Sequence, residues 1–460
     1  MPTLSDKLNH WVQKTPDKLL FEFLDINGKS VEKYTYEEFE KAVRIVASNL
    51  AENYKFKKDD RILITYPAGI EMIVSFVACV RLGLVPVPTY PPTSSGFQSA
   101  YYKMEHIAKD CGAVAVLTNG EYYWSLKLNM DRNNIVEKTM LTKLPWINTS
   151  EFTHETSATN YERESSFLFL QYTSGSTTDP KGVMISHENL ENNAENVLSE
   201  PPVTVTWLPQ YHDMGLIGYH LFIIMKGGTS IGFSTLDFIR KPVLWLETIS
   251  KYKATHSSAP NFAYDYLLQP GRVSDEVFAS LDLSSLTNLM TAAEPVRAGT
   301  FYKFLEKFSA CGLKETALGA AYGLAENTLA VSQWGGKSVS VLTNSLINHE
   351  LKFENGQAGE VTQIMSCGKP LRDQIVRIVD PNSHIDLGEN KVGEVWLAGP
   401  SKGLGYWGKP ELNKECFEAK IAGESGSATH TFLRTGDLGF LHEQELYICG
   451  RAKDMIIIRG

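Results

Sequence analysis

The sequence predicts an α/β protein with a smaller β-rich part, and three observations predict it. Up to about residue 335, apolar strand-like runs alternate with amphipathic helical stretches, as in mostly parallel sheets flanked by helices. From about 336 to 449 the helical period fades and short strand signals crowd together at 374–379, 393–397 and 445–448. At 460 residues the chain also exceeds what one hydrophobic core organises, so subdomains are required.

Each element has a local reason. Leu4, Leu8, Trp11 and Val12 share one helical face and predict a short amphipathic helix. Asn27 and Gly28 form a hairpin turn signal. Thr35 and Glu38 have capping-box spacing and open a helix to about Ala51. A strand at 61–65, a helix at 70–82, a strand at 84–87, a helix at 101–110 and a strand at 113–118 follow. Pro86, Pro88, Pro91 and Pro92 make the loop after the second of these strands irregular. Residues 119–165 read as polar and less regular. Strand-like runs at 167–171 and 183–186, a helix from His187 and strands at 203–208, 254–258 and 286–290 continue the alternation, with a helix at 300–308.

Composition narrows the class. With 43% hydrophobic and 21% charged residues the chain is an ordinary globular protein, and a net charge of −9 argues against nucleic-acid or anionic-membrane binding. Six scattered cysteines without a C-x-x-C pair favour buried thiols in a reducing compartment over disulfides or zinc. The N-terminus has no apolar signal core, and the most lipophilic run, 215–225, contains His220 and is too short for a membrane span. A cytoplasmic location is expected. Residues 455–460 read as a buried strand with nothing after it to cover it, so a further domain is expected to be cut short there.

Candidate chemistry falls in five stretches. The loop 172–182 contains Thr173, Ser174, Gly175, Ser176, Thr177, Lys181 and Gly182. Glycines let backbone N–H groups turn toward an anion, hydroxyls add donors and the lysine adds charge, which suits phosphate; a polar surface turn is the alternative. The spacing is not that of the G-x-x-x-x-G-K-[ST] loop. His212 and Asp213 follow a strand, as chemistry or as a capped helix start. Tyr322 can lie against a flat heterocycle and Glu326 can hold a hard cation, although a helix cap with a surface glutamate would look the same. Asp437 sits in a predicted tight turn, 434–439, where a carboxylate can bind ribose hydroxyls. The charges at 450–454 also suit a solvated linker. A G-x-G-x-x-G run at 403–408 imitates a dinucleotide fingerprint, but Pro410 follows at once and no suitable acidic residue comes about 20 residues on, so that reading is set aside. G-x-S-x-G, H-E-x-x-H and paired Cys/His patterns are missing, against serine hydrolases and zinc enzymes.

In this order the five motifs resemble the adenylate-forming superfamily of acyl-CoA ligases, peptide-synthetase adenylation domains and luciferases, over about residues 35–460. The resemblance implies a large N-terminal AMP-binding domain over 1–449, with two α/β subdomains within about 1–335 and a smaller distorted β-barrel subdomain over about 336–449. A hinge and the first strand of a C-terminal domain would follow at 450–460. It implies that Thr173, Ser174, Gly175, Ser176, Thr177, Lys181 and Gly182 hold the triphosphate of ATP. Tyr322 would lie against adenine with Ala293, Glu294, Ala321 and Gly323 nearby, and Asp437 and Arg451 would bind ribose. Glu326 and Thr173 would hold Mg2+, and Asp454 would be the hinge. Within the superfamily the sequence is most similar to fatty acyl-AMP ligases. Ala325 stands where CoA-forming relatives usually have threonine, the stretches 211–215 and 259–265 have that family's character, and Glu326 lies 42 positions before Gly368. The extra chain, about 338–362, matches an insertion thought to keep the C-terminal domain from the pose needed for thioester formation with CoA.

The implied reaction is ATP-dependent activation of a fatty acid to acyl-adenylate, for transfer to the phosphopantetheine arm of an acyl-carrier protein. The fatty acid's carboxylate is the nucleophile, so Lys181 and Glu326 would neutralise charge rather than attack. His212, Asp213, Met214 and Gly215 would line the entry of the acyl carboxylate. Relatives also use a lysine of the C-terminal domain; no lysine follows Lys453 here, so ATP or acyl-AMP binding with slow adenylation is expected. The alternatives are a conventional fatty acyl-CoA ligase with an incidental insertion and a non-catalytic acyl-adenylate or nucleotide sensor. Intact Lys181 and Glu326 count against the sensor.

Overall fold

The computed structural model describes residues 2–133, 139–157, 163–172, 180–347, 350–354, 360–424 and 430–452. Its helix starts follow from side-chain chemistry. Thr3 and Thr35 accept from the N–H three residues on, and the Asp6 and Glu38 carboxylates accept the reverse bonds. These two capping boxes satisfy first-turn donors of the helices Leu4–Lys14 and Tyr36–Asn53 that would otherwise lack partners. By internal packing the chain forms two units, the first from 1–191, 207–236 and 403–409, the second from 192–206, 237–402 and 410–460.

The first unit contains a parallel sheet in the order Val85–Pro88, Arg61–Ile64, Ala115–Thr118, Trp146–Asn148. Strands covered on both faces carry apolar residues without alternation, and all four residues of Ala115–Thr118 are buried. The helix Glu71–Arg81 is buried along nearly its whole length, and its last residue, Arg81, is forked onto Glu40 at 2.5 and 2.6 Å. Thr229–Phe233 runs parallel to Leu19–Leu24, which pairs antiparallel with Ser30–Thr35 around the turn at Gly28. Phe169–Tyr172 and Gly182–Ile185 form an antiparallel hairpin. The expectation of irregular chain over 119–165 is corrected in two places. Asn119 caps the helix Gly120–Arg132 by accepting from Tyr122 N–H, and Trp146–Asn148 takes the edge of the parallel sheet.

In the second unit Val203–Thr206, His256–Ala259, Asn288–Thr291 and Leu318–Gly323 pair in parallel in that order. Ala330–Gly335 and Lys369–Pro370 extend this sheet antiparallel. A separate antiparallel sheet runs Ile375–Val379, Gly393–Ala398, Leu433–His442, Glu445–Arg451. The extra chain at about 338–362 begins and ends in paired strands, Ser338–Leu342 against Val361–Met365. Val341 and Ile364 are buried with Val392, Phe440 and Tyr447, so this strand pair shares a small core with the antiparallel sheet. Asp437 does not sit in a tight turn. It lies inside Leu433–His442, where Gly436 takes φ 72° and the register slips against Gly393–Ala398. Among the described residues no helix is long and apolar enough to cross a membrane.

Candidate active site

In the second unit the parallel strands deliver candidate residues at their carboxyl ends, where open α/β sheets bind ligands. Thr291 and Ala320 are register partners, so the chain leaving each strand brings Ala293 and Glu294 to the same end as Ala321, Tyr322 and Gly323. Ala293 has φ 69°, a left-handed conformation uncommon for a residue with a Cβ. Glu294 accepts from Phe262 N–H at 2.6 Å, so its carboxylate caps the helix Asn261–Leu268. The Tyr322 hydroxyl donates to Asp437 Oδ2 at 2.6 Å, and Arg451 Nε lies 3.4 Å from Asp437 Oδ1. Burial, then the neighbouring Asp437 carboxylate, push the Tyr322 hydroxyl well above its ordinary pKa, so it stays a protonated donor. Anchored by its hydroxyl, the ring offers a fixed plane. Asp437 is 8% exposed, and its backbone N–H donates to Thr435 Oγ1 at 3.0 Å.

Glu326 follows on a turn that sequence reasoning missed. The Glu326 charge also contributes to raising the Tyr322 pKa. Two residues on, Thr328 takes φ 66° and ψ −65°. Leu329 N–H donates to Asn327 C=O at 2.7 Å across it, closing a γ-turn of the rare, strained handedness. Asn327 and Thr328 are fully buried. A Cβ at Gly323 would lie 2.0 Å from Leu329 C=O, so only glycine allows the strand to approach the turn this closely. Nothing in the local sequence signals this strain, because threonine is among the residues least suited to it.

In the first unit Lys181 Nζ lies 5.2 Å from the centre of the Tyr406 ring, within cation–π range. Tyr406 comes from the G-x-G-x-x-G run. That run lies along Gly182–Ile185 through an antiparallel bridge between Val183 and Tyr406, with Met184 N–H donating to Gly405 C=O at 2.9 Å and Trp407 N–H to Gly182 C=O at 2.8 Å. The glycines of this run serve backbone conformation: Gly405 and Gly408 have φ of 126° and 66°. Gly182 itself is required by packing, since a Cβ there would meet the Tyr172 ring at 2.7 Å. Thr173, Ser174, Gly175, Ser176, Thr177 and the hinge Asp454 lie outside the described residues.

His212 occupies the N-cap position of the short helix Asp213–Leu216. Its Nδ1 is 2.7 Å from Asp213 Oδ1 and 3.3 Å from Met214 N–H. One nitrogen cannot donate to the first and accept from the second. Met214 N–H has a better acceptor in Asp213 Oδ1 at 2.6 Å, so the proton belongs on Nδ1 and points at the carboxylate. Burial alone would lower the His212 pKa, but the hydrogen bond and charge of Asp213 outweigh it and raise it. The Asp213 carboxylate therefore favours the imidazolium form, which also carries a proton on Nε2, more than water alone would. A Cβ at Gly215 would sit 2.2 Å from Pro209 C=O, which fixes glycine there, and Met214 is buried. Gln171 Nε2 donates to Tyr211 C=O at 3.0 Å, tying this segment to the strand Phe169–Tyr172.

The AMP-binding enzyme family matches residues 8–407. The chain is 34% identical to the medium-chain-fatty-acid–[acyl-carrier-protein] ligase JamA of Moorena producens, covering 100% of this chain and 78% of that protein. It is 31% identical to 4-hydroxyphenylalkanoate adenylyltransferase of Mycobacterium tuberculosis, covering 100% of this chain and 75% of that one. The fatty acyl-adenylate ligase of L. pneumophila, solved with acyl adenylate and pyrophosphate, superposes with a TM-score of 0.88 at 34% identity, over 100% of this chain and 79% of that one.

Proposed function

The chain belongs to the AMP-binding enzyme family, and from that premise we propose that it activates a fatty acid with ATP to acyl-adenylate and passes the acyl group to an acyl-carrier protein rather than to CoA. The observation that carries this reading is the Tyr322–Asp437–Arg451 constellation, with Glu326 borne on a strained turn four residues after Tyr322. A flat ring with its hydroxyl anchored suits adenine. A carboxylate accepting through both oxygens suits a vicinal diol. The similarity to a fatty-acid–[acyl-carrier-protein] ligase and the insertion packed on the antiparallel sheet support the acyl-carrier acceptor.

In the reaction a carboxylate oxygen of the fatty acid attacks the α-phosphorus of ATP, the bond to the β-phosphate oxygen breaks, and pyrophosphate leaves with the electron pair. Reacting anions repel, so the residues act by placing opposite charge. Lys181 would hold the departing phosphates, supported on the Tyr406 face. The His212 imidazolium would pair with the incoming carboxylate through Nε2–H. Glu326 fits Mg2+: it is an oxygen donor on a rigid turn, next to Asn327, whose buried Oδ1 has no partner among the described residues and suits a water of hydration. Among the described residues no group of three or more His, Cys, Asp or Glu could hold a metal by itself. Mg2+ needs no such group, because it binds through one or two carboxylates together with substrate phosphates. Mg2+, when bound, would neutralise the developing pyrophosphate charge.

Incubating the protein with fatty acid, ATP and Mg2+, and then with CoA or a phosphopantetheinylated carrier protein, tests the reading. Acyl-AMP should form and the carrier should be acylated. Abundant acyl-CoA would instead favour a conventional acyl-CoA ligase.

A further inference from the structure

Around the Glu326 turn the second unit holds a group of buried, uncharged polar side chains that the proposed reaction does not use. We infer that Asn193, Thr328 and Ser401 are positioning residues that hold the strained turn in place and thereby aim the Glu326 carboxylate, an inference that rests on the reading of Glu326 as the cation ligand. Asn193 satisfies both backbone groups of Ala330, accepting its N–H at 3.0 Å and donating to its C=O at 2.9 Å. The same amide donates to Ser401 Oγ at 3.0 Å, and Ser401 Oγ donates to Asn192 Oδ1 at 2.8 Å. Thr328 Oγ1 donates to Ser401 C=O at 2.7 Å. Asn327 donates to Ala330 C=O and to Gln374 Oε1, both at 3.0 Å, and Gln374 donates onward to Ala398 C=O at 3.1 Å. The γ-turn is thus tied from both sides, to the helix His187–Val197 through Asn193 and to the segment around Ser401.

Two physical arguments give this arrangement its purpose. A β-branched residue at positive φ persists only where its surroundings over-determine it, and a plain connection between Leu318–Gly323 and Ala330–Gly335 has no need of such a residue. The groups that tie the turn are also amides, hydroxyls and backbone carbonyls. They fix geometry without bringing a cation that would compete with a metal for the Glu326 carboxylate.

ATP binding, measured by titration calorimetry over a range of Mg2+ concentrations and again in EDTA, tests the inference alongside the melting temperature. Glu326→Gln serves as the reference. Asn193→Ala should raise the Mg2+ concentration needed for half-maximal ATP binding by about 10- to 100-fold, as loss of an outer-shell support does, while ATP affinity in EDTA stays unchanged. Thr328→Gly relieves the steric strain and should keep or raise the melting temperature, yet shift the Mg2+ midpoint in the same direction. Thr328→Ser, which keeps the hydroxyl, should restore it. Folded Asn193→Ala and Thr328→Gly proteins with the wild-type midpoint would overturn the inference and leave the cluster as packing alone. If Asn193→Ala does not fold, the Thr328 pair decides. A wild-type protein that binds no ATP at any Mg2+ concentration would remove the functional reading itself, and this inference with it.

Discussion

The turn that carries Glu326 is buried, uncharged around its backbone and strained, whereas His212 is half-exposed, beside a charged neighbour and in ordinary geometry. Thr328 is wholly buried at φ 66°, while the His212 side chain is 43% exposed at φ −94°. The backbone that carries Glu326 is held by neutral hydrogen bonds, which do not titrate. The imidazole is aimed by a neighbouring charge, so its state follows pH. A divalent cation is held by fixed geometry, and an incoming carboxylate by charge, so each region is built for the group it is proposed to meet.

The largest expected effect breaks the first half of this contrast. Glu326→Gln should slow fatty-acid-dependent pyrophosphate exchange by at least about 100-fold, with the melting temperature unchanged. An equal rate would remove Glu326 from the reaction. Gly323→Ala attacks the turn through its shape, because the new Cβ would lie 2.0 Å from Leu329 C=O. A stability loss of about 2 kcal/mol in denaturant titration is expected, and a stable variant would show that the turn can give way.

A pH series sharpens the other half. The His212 pKa is raised by Asp213 against the effect of burial, so the cation, and with it fatty-acid binding, is fully present at low pH and lost as pH rises through that raised value. The Michaelis constant for fatty acid should climb on that alkaline limb, and Asp213→Asn should move the climb to lower pH. The Mg2+ dependence set by Glu326 should not move over the same range. The smallest effect is expected at the Lys181 support. Tyr406→Leu removes a cation–π contact of a buried ring, worth about 0.5–2 kcal/mol, or roughly a two- to thirtyfold loss in ATP affinity by calorimetry.

Much of the fold could be read from the chain because its strands and helices obey short periods. The capping boxes at Thr3 and Thr35 and the fully apolar strands are local signals, and only the first box went unremarked. Tyr322, Glu326 and Asp437 stand out in the sequence as candidates, because their side-chain chemistry is the signal. What lay beyond reach depends on contacts between distant residues. Asn193 and Ser401 look like ordinary polar residues until the fold sets them 3.0 Å apart. Asp437 read as a turn because Gly436 suggests one, yet the glycine serves a register slip within a strand. The glycine run at 403–408 imitates a nucleotide fingerprint that its context already argues against, and its glycines instead let the chain lie along Gly182–Ile185.

That late pairing has a consequence for how the protein is made. The first unit takes in residues 403–409, more than 200 residues after the hairpin strand Gly182–Ile185 that they complete. During synthesis the Lys181 side of the hairpin therefore waits, its outer backbone groups unpaired, until almost the whole second unit has left the ribosome. At about 5–20 residues per second that delay lasts roughly 10–40 seconds. Closing so long a span also gives this contact a high entropic threshold, so it should form late even in refolding from denaturant.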